Sequence, residues 1–156
     1  LLWQFPPSLR VLQEVLEKSQ AKFVYIVGAG NAAFEEPSVF LKRLFGLIRF
    51  AVNKKDGQVE GDKLAAAMAA SKMSVALALT LLRKANLIDW FSEDGLIYLD
   101  LLGELQGELR ELQEYKQLVS SLLSEKEFRN WCSSATVNQI QSQATGNRDE
   151  MLQPQQ

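Results

Sequence analysis

A helix-rich α+β chain is what the sequence predicts: a small β-α-β unit, then a helix-turn-helix closed by a β-hairpin, then C-terminal helices. Three observations predict it. A short apolar run, Leu1–Phe5, and a β-branched and aromatic run, Lys22–Gly28, bracket a segment with helical spacing. Three amphipathic segments follow between residues 38 and 85. Two apolar runs, Leu87–Phe91 and Leu96–Asp100, are then joined by Ser92-Glu93-Asp94-Gly95, a strong hairpin signal.

The first strand, "LLWQF", is stopped by Pro6 and Pro7. Ser8 suits an N-cap, and Leu9, Leu12, Val15 and Leu16 recur at helical spacing up to about Ser19 or Gln20. "KFVYIVG" supplies the second strand, and a right-handed parallel crossover is the expected connection. Two strands make a poor sheet alone, so this unit should extend a sheet or dock on a neighbour. The loop Gly28–Pro37 contains Gly-Ala-Gly but neither the full glycine fingerprint nor a Gly-Lys-Ser/Thr ending, so it reads as a linker.

From Ser38 the chain turns helical, with Phe40, Leu41, Leu44, Phe45, Leu47, Ile48 and Val52 as its apolar stripe. Asp56-Gly57 is a turn, and Gln58-Val59-Glu60 suits a very short strand. An Ala-rich helix, Gly61 to Ala70, is followed by Ser71 as the cap of a helix over Lys72–Ala85. Helix, turn, helix, helix, hairpin is the order of a winged helix-turn-helix. Leu101, Leu105, Leu109, Leu112, Leu118, Val119, Leu122 and Leu123 then repeat with helical period, and Ser124-Glu125-Lys126-Glu127 reads as a fresh helix start. The Ser-, Thr-, Asn- and Gln-rich end, 133–156, has the composition of a disordered tail. The expected partition is therefore 1–36, 37–100, 101–132 and 133–156.

Composition limits the chemistry. The chain has 156 residues and no histidine, which removes His-based acid/base catalysis, Ser-His and Cys-His nucleophile pairs and His metal ligands. Its single cysteine, Cys132, allows neither an intramolecular disulfide nor a structural zinc site, and fits a reducing cytoplasm. No apolar run approaches the roughly 20 residues of a membrane span. No catalytic, cofactor-binding or metal-binding residue is expected. The start at Leu-Leu, without Met, suggests a piece of a longer protein.

Charge is unevenly placed. Residues 37–99 carry nine Lys or Arg against six Asp or Glu, a balance of +3, while 100–131 carry four against seven, a balance of −3. Lys42, Arg43, Arg49, Lys54 and Lys55 lie on one helix and its turn; Lys72, Arg83 and Lys84 belong to the helix over 72–85. Together they could frame a patch for phosphates or for an acidic peptide. Base readout is another matter. It wants Arg, Asn or Gln on the groove-facing helix, and none occurs between Lys72 and Leu82, where only Ser74 and Thr80 could bond a base edge. Trp3, Trp90 and Trp131 could stack bases, but packing is the commoner fate of tryptophan.

Three stretches, "QFPPSLRVLQEVLEKSQAKFVYIV" (4–27), "FLKRLFGLIRFAV" (40–52) and "LLRKANLIDWFSEDGLIYL" (81–99), resemble the C-terminal domain of RecJ-type single-stranded-DNA exonucleases in their cyanobacterial form. The resemblance covers most of residues 1–131. It implies an accessory domain without catalytic residues, in a cytoplasmic enzyme of DNA repair and recombination. The parent's catalytic domains would bind the divalent metal through Asp and His motifs, including Asp-His-His. It also implies partners: single-stranded-DNA-binding protein (SSB), the single-stranded DNA backbone, or the parent's catalytic domains, with no membrane. A winged-helix transcription regulator is the rival expectation, and a small enzyme a third.

Overall fold

The structure, a computed structural model, describes residues 5–19, 36–105, 109–136 and 139–140. Five helices, α1 (Leu9–Ser19), α2 (Pro37–Lys55), α3 (Gly61–Met68), α4 (Lys72–Lys84) and α5 (Gln113–Ser134), accompany three strands, β1 (Gln58–Glu60), β2 (Ile88–Glu93) and β3 (Leu96–Leu101). The strands form one antiparallel sheet in the order β1-β3-β2. The expected strands at 1–5 and 22–28 and the loop 28–37 lie, but for Phe5, Glu36 and Pro37, outside the described residues.

The chain divides into two compact units, Phe34–Ser124 and Leu1–Ala33 with Glu125–Gln156. In the first, α2, α3, α4 and the sheet enclose a core that includes Phe40, Leu44, Ile48, Met68, Leu79, Leu82, Ile88 and Leu99, joined by Leu118 and Leu122 of α5. In the second, Ser8 caps α1, its Oγ accepting from the Val11 N–H at 3.3 Å. Cys132 is buried there, and burial pushes its thiol pKa up, away from reactivity.

Local chemistry fixes the joints of the larger unit. Pro37 opens α2 at a position where a missing N–H costs nothing. Asp56 ends it in the left-handed region at φ 50°, and Gly57 follows at φ 74°. Leu99 then donates to the Gly57 carbonyl at 2.9 Å, bringing the turn against β3. Ser71 caps α4, its Oγ accepting from the Ser74 N–H at 3.1 Å. Asp94 and Gly95, at φ 50° and 81°, make the hairpin turn whose twist suits antiparallel strands.

Three expectations are corrected. The Ala-rich helix stops at Met68, because Ala69 turns left-handed at φ 49°. Leu101 ends β3, paired with Ile88, instead of beginning a helix. The N–H groups of Leu102 and Gly103 both bond the Leu87 carbonyl, and Leu105, Leu109 and Leu112 pack on the core from irregular chain. Gly103 opposes a helix there. Finally, α5 runs unbroken through the expected start at Ser124. The Ser124 Oγ bonds back to the Ser120 carbonyl at 3.1 Å, a mid-helix use of serine, not a cap. The helix continues to Ser134, into the expected tail, and residues 141–156 lie outside the described set.

Within the larger unit, α5 is tied to α4 by a hydroxyl pair, Ser74 Oγ to Ser121 Oγ at 2.7 Å, with Ser74 fully buried. Ser74→Ala should cost about 1–2 kcal/mol, by losing the bond and stranding the Ser121 hydroxyl. Ser74→Ala with Ser121→Ala should cost less than the sum of the two single changes. Urea melts of the four proteins measure this coupling; strict additivity would mean that the bond contributes nothing.

Candidate interaction surfaces

The face that α4 offers outward cannot read bases. Met73 is 65% exposed, and Ala76, Leu77 and Thr80 are half-buried. The Thr80 hydroxyl donates to the Ala76 carbonyl of its own helix at 2.8 Å. Ser74 is sealed inside. The two side chains that could have met a base edge are thus both committed elsewhere.

The eight cations do not form a single cradle. Lys72 and the pair Arg83–Lys84 sit at opposite ends of α4, roughly 17 Å apart at 1.5 Å per residue. Most are also engaged. Lys72 pairs with Asp62, and Arg83 with Asp89 at 3.0 Å. Arg49 lies 3.5 Å from Glu104. Lys84 pairs with Glu114 and, chiefly through that hydrogen bond, holds the Glu114 carboxyl below its ordinary range. Arg43 is structural: its Nη2 donates to the Met68 carbonyl at 2.6 Å, and its guanidinium lies 5.9 Å from the Phe40 ring centroid. It thereby satisfies a carbonyl at the end of α3 that the helix leaves unbonded. Lys42, Lys54 and Lys55 form no ion pair with any described residue. Lys54 and Lys55 also sit in the last turn of α2, where the helix dipole favours positive charge.

The outer face of α2 carries a pattern that the apolar stripe does not reveal. At 100° per residue, Val39, Gly46 and Phe50 share one line along the helix, opposite the buried stripe. Val39 is 51% and Phe50 56% exposed, while Gly46 has open space where a Cβ would stand. Lys42 and Arg49 flank this line on one side, Arg43 and Lys54 on the other. No acidic residue occurs between 37 and 55. The signal was present in the sequence: Val39 and Phe50 fall off the Phe40–Leu44–Ile48 stripe and onto the side of the cations.

The hairpin has the opposite character. Phe91 and Tyr98, directly paired across β2 and β3, stack with centroids 4.6 Å apart, and Phe91 is 58% exposed. Alternation places Asp89, Glu93 and Asp100 on the same face of the hairpin. Trp90 faces the other way and lines a cleft of about 310 Å³ between α4 and the hairpin, together with Asp62, Lys72, Leu79, Glu93 and Asp94. In the second unit, Trp131 lies 5.6 Å from Phe128 in a tilted pair. Trp3 lies outside the described residues.

No family model, no curated protein and no solved structure matches this chain. Among the described residues no group of three or more Asp, Glu or Cys is placed to hold a metal ion. No single described helix is long and apolar enough to cross a membrane.

Proposed function

We propose that this chain is a winged-helix protein-interaction module, without catalytic residues of its own, carried as the C-terminal accessory domain of a RecJ-like 5′-to-3′ single-stranded-DNA exonuclease. Its ligand is an acidic peptide with apolar end residues, of the kind carried by the tail of SSB, and its docking face is the outside of α2. One observation carries this: two large apolar side chains, Val39 and Phe50, stand exposed among cations on a helix that has no acid. An acidic tail needs both parts, cations for its carboxylates and an apolar seat for its end. The winged-helix assignment is supported by the element order α2-β1-α3-α4-β2-β3 with a β1-β3-β2 sheet. The RecJ assignment is supported by the three resembling stretches, and the divalent metal would belong to the parent's catalytic domains. Lys54 and Lys55 could add contact with the DNA backbone, indifferent to sequence. A transcription regulator would share the element order, but α4 presents Met73, Ala76 and Leu77 where such a protein needs hydrogen-bonding side chains.

Arg43 is a poor test residue because it braces α3. Lys42→Glu with Arg49→Glu, and separately Phe50→Ser, leave that brace in place. Fluorescence anisotropy with a labelled acidic peptide ending in Leu-Phe should show each change weakening binding by about tenfold, or 1.4 kcal/mol. Labelled single strands and duplexes should bind more weakly than the peptide, and without sequence preference. Unchanged peptide affinity in both variants, or strong preference for one duplex sequence, would overturn the proposal.

A further inference from the structure

We propose that the outer face of the sheet is a docking site for α2 of a second copy of this chain, in a head-to-tail contact. The three strands carry four acids, Glu60, Asp89, Glu93 and Asp100, and no Lys or Arg. Register puts all four on the face that turns away from Ile88 and Leu99 of the core. Between them lies the Phe91–Tyr98 stack, with half-buried Leu96 on the same face. An exposed apolar patch rimmed by charge marks a protein contact.

The charges on this face call for cations from outside. Asp89 and Asp100 are directly paired across β2 and β3, and like charges so placed repel. Arg83 reaches Asp89 at 3.0 Å, and Lys63 reaches Glu60 at 2.6 Å. Glu93 and Asp100 form no ion pair with a described residue. The complement stands on the same chain. α2 has no acid, its Lys42 and Lys54 have no ion pair among the described residues, and Val39 and Phe50 are exposed between them and Arg49. The spacing agrees as well. Along β2, about 7 Å separates Phe91 from Asp89 on one side and from Glu93 on the other. Along α2, Phe50 lies about 12 Å from Lys42 on one side and about 6 Å from Lys54 on the other. Acid, aromatic, acid thus faces cation, aromatic, cation. Neither face complements itself, so the contact joins unlike faces and leaves one of each free on every growing assembly. The carboxylates exclude nucleic acid from the sheet face. The contact shares the α2 face with the proposed peptide, but the sheet face takes no part in peptide binding, so the two readings fail separately.

The test is sedimentation velocity of the whole 156-residue chain from about 10 µM to about 1 mM, the range of a small transient interface. The expected result is a weight-average coefficient that rises with concentration at low salt and much less at about 0.5 M salt. Phe50→Ser and Phe91→Ser should each raise the concentration needed by about tenfold. Mixed in equal amounts, these two variants should associate again and stop at two copies, because one keeps its sheet face and the other its α2 face. Asp100→Lys keeps the aromatic stack and removes the repulsion with Asp89. It should weaken association by about three- to tenfold without lowering the melting temperature. An acidic peptide ending in Leu-Phe, once bound to α2, should dissolve the assembly, while Phe91→Ser and Asp100→Lys keep full affinity for it. A coefficient that stays constant up to about 1 mM would overturn the proposal. So would association undiminished by Phe91→Ser and Asp100→Lys, or an assembly that persists with peptide bound to α2. No recovery in the mixture would also do so, by assigning the contact to like faces. Association that behaves as expected alongside a peptide that does not bind would leave this contact standing and remove only the peptide reading.

Discussion

Leu44→Ala should lower the melting temperature of the larger unit by about 10 °C or more. Leu44 is fully buried at the centre of α2, in the cluster shared with Phe40, Ile48 and Leu82. Truncating such a leucine costs about 2–5 kcal/mol, because transfer energy is lost and the cavity closes only in part. For a unit of this size each kcal/mol moves the midpoint by about 4–8 °C. Alanine is a good helix former, so the loss reports packing and not helix propensity. Circular dichroism melts measure it. Below the new midpoint, affinity for an acidic peptide should be unchanged, since Leu44 faces away from Val39 and Phe50. A shift of only a degree or two would mean that α2 is not packed as described.

Gly57→Ala should be nearly as damaging, by a different route. A Cβ at residue 57 would stand 2.3 Å from the Leu99 carbonyl oxygen, a contact with backbone that no rotamer relieves. The residue also sits at φ 74°, where an L side chain costs about 1–2 kcal/mol. Relieving the contact means moving β1 away from β3, so a total of roughly 2–4 kcal/mol is expected. Gly95→Asn is the matched control. Its φ is 81°, but no atom lies within 4 Å of the added Cβ, and Asn tolerates left-handed backbone. It should cost under about 1 kcal/mol. Equal losses at the two positions would show that conformation alone, not the approach of Leu99, fixes glycine at 57.

The joints of the fold were legible because each rests on a local signal. Asp56-Gly57, Ser71 before α4 and Asp94-Gly95 are contacts between near neighbours in sequence, and all three behave as their chemistry dictates. The region after β3 was not legible by the same means. Leucines at 101, 105, 109 and 112 have helical spacing, yet pairing with Ile88 and bonds to the Leu87 carbonyl hold the start of that run extended. Ser124 likewise looks like a cap and is a mid-helix residue, because continuing α5 keeps every backbone bond that a break would cost. At the surface, the sign of each charge was readable but its partner was not. Arg43, Arg49, Lys72, Arg83 and Lys84 all find partners in other elements or loops, and only the folded chain brings these together. That leaves Lys42, Lys54 and Lys55 as the cations of the expected patch without an ion pair among the described residues.

Chemical-shift mapping of the ¹⁵N-labelled chain with an acidic peptide ending in Leu-Phe tests the central claim most directly. The account predicts that the largest shifts fall on Val39, Lys42, Gly46, Arg49, Phe50 and Lys54, along one face of α2, and that Phe50→Ser moves their midpoint to about tenfold higher peptide. Shifts centred on α4 or on the cleft beside Trp90, or no saturable shift at millimolar peptide, would contradict it.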